Sequence, residues 1–83
     1  MKTAPYFREQ VLRKRPYLKQ EWCERVVGSP LKREVQSDGR IRFWGQVPEL
    51  GGRILRVVVL ADGETLLNAF PDRRFKPSRE QRE

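Results

Sequence analysis

The sequence predicts an α+β domain, two N-terminal helices packed on a four-stranded antiparallel meander. Three observations predict it. Apolar residues recur at helical spacing over residues 4–28 and change to strand-like alternation afterwards. Asp38-Gly39, Gly51-Gly52 and Asp62-Gly63 are turn signals that cut residues 33–70 into four strand-sized pieces. Helices come before strands without βαβ alternation, which places both helices on one face of the sheet. Residues 1–76 are expected to form a single domain, and residues 77–83 a frayed, charged tail.

The first helix is expected over residues 4–14. Thr3 is placed to cap it, Pro5 is tolerated in a first turn, and Phe7 and Val11 share a face. Pro16 ends it and pushes Arg15 toward extended geometry. The second helix, residues 18–28, carries a Leu18, Trp22, Val26 stripe widened by Cys23 and Val27. Glu21 and Arg25 are spaced to pair along its outer side. Gly28 stops this helix, and Pro30 prevents its continuation. Trp22 and Val26 are expected to pack against Leu55, Val57 or Phe70.

The strands are expected at 33–37, 40–47, 53–61 and 64–70. A two-residue Asp62-Gly63 turn sets Val59 opposite Leu66, Val57 opposite Asn68 and Leu55 opposite Phe70. That face is the one assigned to the helices. The other face holds Ile54, Arg56, Val58, Leu67 and Ala69. It is apolar enough to be covered by a helix, a partner or a second copy, so a homodimer is one expectation.

The net charge is +7, from eighteen basic and eleven acidic residues. Most of the basic residues are arginines, whose planar fork grips phosphate or carboxylate with paired hydrogen bonds. Such a surface is either merely solvated or meets a polyanion, namely nucleic acid or an acidic protein. A single cysteine, Cys23, excludes an internal disulfide and fits a reducing cytoplasm. With no histidine and one cysteine, no zinc cluster is expected, and a nucleophile–histidine pair has no base. No glycine-rich phosphate loop occurs, and no cofactor is expected. No apolar run approaches the ~20 residues that cross a bilayer, so no membrane partner is expected.

The candidate site is the basic set Arg40, Arg42, Arg53, Arg56, Arg73 and Arg74, interleaved with Trp44, Asn68, Phe70 and Asp72. Arginines and aromatics on a sheet surface are the ingredients of RNA binding, by phosphate pairing and base stacking. Trp44 is either a core residue or a stacking platform, and Phe70 reads as core. Asn68 is uncomfortable inside a strand and is either a satisfied backbone contact or a site residue. Asp72 either closes a turn by pairing with its arginine neighbours or accepts a proton.

The run SPLKREVQSDGRIRFWGQVPELGGRILRVVVLADGETLLNAFPDRRFK, preceded by RKRPYLKQEWCERVV, resembles a family of small bacterial proteins common in cyanobacteria. That group is similar in outline to BrnT-like and, more distantly, RelE-like toxin folds. The resemblance spans roughly residues 6–76 and rests on segments such as Asp38-Gly39-Arg40-Ile41-Arg42 and Asn68-Ala69-Phe70-Pro71-Asp72-Arg73. It implies two helices on a curved sheet and an endoribonuclease of a toxin–antitoxin system, neutralised by an acidic antitoxin-like protein. In that reading Arg42, Arg56 and Arg73 supply transition-state charge and Asn68 positions phosphate. Asp72 or Glu49 accepts the proton, while Arg40, Trp44 and Arg74 hold RNA. The alternative is a non-catalytic module binding RNA or an acidic protein through the same surface.

Overall fold

The sheet has five strands, one more than the meander accounts for. The computed structural model describes residues 1–76, so the expected tail at 77–83 lies outside the described residues. The strands are β1 (Lys2–Thr3), β2 (Lys32–Val35), β3 (Ile41–Val47), β4 (Arg53–Val59) and β5 (Thr65–Pro71). They lie in the order β1-β5-β4-β3-β2. β2 to β5 form the expected antiparallel meander, with Phe43 opposite Val57 and Arg33 opposite Phe43. β1 adds to the free edge of β5 in parallel, Lys2 opposite Thr65 and Thr3 opposite Leu66. Thr3 is therefore a strand residue and does not cap the first helix; its Oγ1 and carbonyl oxygen accept from Arg8.

The first helical segment is a π-helical turn, Phe7–Val11, continuing into one α-helical turn, α1 (Leu12–Lys14). The wide turn closes with the Leu12 N–H on the Phe7 carbonyl and still sends Phe7 and Val11 into the core. α2 (Gln20–Gly28) follows, starting two residues later than expected. Its buried centre is Cys23 and Val26, while Trp22 is half-buried at the flank of the core. The Leu18-Trp22-Val26 stripe is thus rotated, and Cys23 occupies the position expected of Trp22. Arg25 does not pair along the helix with Glu21. It reaches to Glu49 with two hydrogen bonds of 2.9 and 2.6 Å, which a bidentate fork favours over a single-bonded helical neighbour.

One core lies between the helices and the inner sheet face. Phe7, Val11, Leu18, Cys23 and Val26 pack on Phe43, Val47, Leu55, Val57, Val59, Leu66 and Ala69. Gly45 sits under α2, where an added Cβ would stand 3.1 Å from the Val26 methyls. The missing side chain is what lets the helix approach β3 so closely.

The last hairpin departs from the expected register. Leu60 N–H bonds to Thr65, so the connection is a four-residue loop of residues 61–64, with Gly63 at φ 75°. Asp62 Oδ1 accepts the N–H groups of Glu64 and Thr65 and holds this loop closed. Val59 pairs with Leu66 as expected, but a bulge follows and Val58 then pairs with Asn68. Leu67 is the extra residue. Beyond it every side chain of β5 changes face. Ala69 becomes fully buried in the core, whereas Asn68 and Phe70 turn to the outer face. Phe70 is therefore not a core residue, and Asn68 is not under the helices.

Candidate functional site

The outer sheet face is built by the alternate residues that the core does not take. Cross-strand pairing arranges them in rows. One row runs Glu34, Arg42, Val58, Asn68, and the next runs Lys32, Trp44, Arg56, Phe70. Of the residues expected at a site, Arg42, Trp44, Arg56 and Asn68 share this face, with Asp72 just past the end of β5.

Trp44 is 6% exposed, as the core reading expects, but it is buried on the outer face and not in the cluster under the helices. Phe75 stacks on it at 5.5 Å between centroids. The Lys32 ammonium and the Arg56 guanidinium stand over its ring at 5.6 and 5.7 Å. Its indole Nε1 donates to Asp72 Oδ2 at 3.0 Å. A ring so occupied is a structural centre and offers no free face to a nucleobase. Arg56 also sits over Phe70 at 5.1 Å, so its guanidinium lies between two aromatic rings, a favourable place for a cation. Val58, beside Arg42, is buried without a helix above it. Arg42 stands directly opposite Val58 in the sheet and is itself only partly exposed.

Asp72 closes a turn. Its Oδ1 accepts the backbone N–H groups of Arg74 and Phe75 at 2.9 and 3.2 Å. Its Oδ2 also lies 3.9 Å from Arg56 Nη1. Burial pushes its acidity toward the neutral form, but the bonds from Trp44 and the two N–H groups, with Arg56, outweigh that and hold the carboxyl below its ordinary value. Asp72 is thus ionised and fully engaged. Glu49 is held by Arg25, which with the Glu49 backbone lowers it to about 2.

Arg42 donates to Glu34 at 3.2 Å. The Nε groups of Arg42 and Arg56 are buried with no acceptor among the described residues. Arg40 pairs with Asp38 at 3.7 Å and lines a separate 280 Å³ cavity with Tyr6, Leu67 and Asn68. Arg73 is exposed at the end of β5 and, with Arg53, borders a 370 Å³ cavity. Arg74 is exposed, and among the described residues only its backbone N–H is engaged. The expected set therefore divides between the face, the Arg40 cavity and the Arg53–Arg73 cavity. Phe75, which stacks on Trp44, was missed by sequence reasoning. Its signal was an aromatic three residues after an aspartate able to close a turn.

No family model, curated protein or solved structure matches the chain. Among the described residues no group of three or more His, Cys, Asp or Glu could hold a metal ion. No helix among them is long and apolar enough to cross a membrane.

Proposed function

We propose that the protein binds single-stranded RNA through the outer sheet face, using arginine and lysine heads to track phosphates. The observation that carries this reading is the pair of rows in which Lys32, Arg42 and Arg56 stand on a face without helices. Its two carboxylates, Glu34 and Asp72, are already engaged. Lys32, Arg73 and Arg74 have no ion pair among the described residues and add to the positive charge on and beside that face, whereas Arg53, opposite Val47, lies on the inner-face side of β4. Phosphate contacts, not stacking on Trp44, supply the affinity in this reading. If about four phosphates are neutralised, affinity for a fluorescent oligouridine falls with a log–log salt slope of roughly −3. A flat salt response, or stronger competition by polyglutamate than by unlabelled RNA, overturns it in favour of an acidic protein partner.

A second reading is the toxin-like endoribonuclease of a toxin–antitoxin system. The observation that favours it is an ionised carboxylate, Asp72, 3.9 Å from the Arg56 guanidinium. Arg42, Arg56 and Arg73 would stabilise charge in the transition state, and Asp72 would accept the 2′-hydroxyl proton once freed from Trp44. Purified protein that leaves RNA intact with and without ribosomes, and does not slow growth when expressed, removes this reading and keeps the binding one.

A further inference from the structure

The 370 Å³ cavity at the end of β4 and β5 combines features that the row of outer-face cations lacks. Ile54, Pro71 and Phe75 line it together with Gly52, Arg53 and Arg73. Phe75 stacks on Trp44 and also lines the cavity. Arg53 and Arg73 are both exposed and make no side-chain hydrogen bond or ion pair among the described residues. Asp72 also lines the cavity, but its two oxygens are bound by Trp44, Arg74 and Phe75, so the carboxylate is committed elsewhere. The site is therefore a cavity of mixed polar and apolar lining that includes two uncommitted arginines, within the volume range of small-ligand sites.

A planar ring with polar edges, joined to a monoanionic or dianionic phosphate, fits those features. The ring would pack against Ile54, Pro71 and Phe75, and the phosphate would pair with Arg53 and Arg73. We propose that this cavity holds one unpaired nucleotide, base inward and phosphate outward. When that nucleotide belongs to an RNA strand, the cavity anchors the strand at the edge of the outer face. This last step rests on the RNA-binding reading; the nucleotide site itself does not.

Sequence-specific RNA recognition commonly depends on such splayed-out bases, since a duplex hides its base edges. The cavity supplies base contact that the occupied ring of Trp44 does not.

The test is two-dimensional amide NMR of the full chain titrated with uridine 5′-monophosphate, adenosine 5′-monophosphate, uridine and inorganic phosphate. Oligouridine is titrated in parallel. The expected result is that nucleotides shift the amides of Gly52, Arg53, Ile54, Asp72, Arg73 and Phe75. Uridine and phosphate alone bind at least several-fold more weakly, because each fills half of the site. Arg53→Ala and Arg73→Ala each weaken nucleotide binding about tenfold or more, as expected for loss of a charge-assisted contact. Both residues are exposed, so the unshifted spectrum elsewhere reports that the fold is intact. Oligouridine binding with no perturbation at the cavity, or nucleotide affinity unchanged in both variants, overturns the site and leaves the RNA reading standing. Nucleotide binding at the cavity without oligouridine binding supports the site and overturns the RNA reading.

Discussion

The two faces of the sheet bury residues by different means. On the inner face, Phe7, Val11, Cys23 and Val26 descend from the helical layer onto Leu55, Val57 and Leu66, and the seal is apolar throughout. On the outer face Trp44 and Val58 are almost as well buried, yet what surrounds them is Lys32, Arg42, Arg56, Asn68 and an aromatic from the chain beyond β5. The inner seal depends on volume, and hydrophobic transfer stabilises it without charge, so pH and the screening of charges leave it largely unchanged. The outer seal depends on charge and hydrogen bonds, so it responds to both. A domain of this size can thus seal one side with apolar volume and the other with charges and hydrogen bonds.

The largest expected effect comes from the register of β5 beyond its bulge. Inserting one alanine between Asn68 and Ala69 forces Ala69 outward and Phe70 inward, since a one-residue slip reverses every side chain beyond it. The expected outcome is loss of cooperative thermal unfolding by circular dichroism. An insertion variant that melts like the parent would show that the faces are interchangeable.

Leu55→Ala comes next. It opens a cavity in the inner core and is expected to cost about 2–5 kcal/mol in urea denaturation. A loss below about 1 kcal/mol would mean that the inner face relaxes as readily as the outer one.

Asp72→Ala tests the outer seal. It leaves the buried Trp44 indole N–H and two backbone donors without their acceptor and is expected to cost about 1–3 kcal/mol. The same residue gives a pH signature. Its folded-state acidity lies below the ordinary value of 3.8, so its contribution is present above that value and lost as the pH falls through the folded one. The stability gap between wild type and Asp72→Asn is therefore expected to be flat above pH 4 and to shrink below it. A gap that is constant down to pH 2 would place the carboxylate outside the network.

Trp22→Ala is the smallest of the set. A half-buried flank residue is expected to lose about 1–2 kcal/mol, less than the roughly 3–5 kcal/mol of a fully buried aromatic. A loss as large as that of Leu55→Ala would move Trp22 into the core and undo the rotation of α2.

Much of the architecture was legible because periodicity reports it directly. Alternation in Ile41–Val47 and Arg53–Val59 marks both strands, and the three Gly-containing turns fix their order. β1 was not legible, because two polar residues, Lys2 and Thr3, carry no pattern and only the edge of β5 recruits them. The bulge had a signal that went unread: Leu66 and Leu67 are consecutive apolar residues where strict alternation would place one. Missing it put Phe70 in the core and Asn68 beneath the helices. At the candidate site, Arg42 and Arg56 were legible as outer-face residues by parity alone. The commitment of Asp72 to Trp44, Arg74 and Phe75 depends on a turn that side-chain spacing does not specify.

The lone thiol of Cys23 lies fully buried under α2, where burial, with Glu24 adding, pushes it up to about 12. In the closed molecule it is sheltered from alkylating reagents and almost wholly protonated. Labelling therefore requires the helix to lift from the sheet, and the chain carries one such atom and no other. The alkylation rate is consequently a built-in clock of how often this interior breathes. Run with and without a polyanion, that clock reads whether occupancy of one side of the sheet quiets the other.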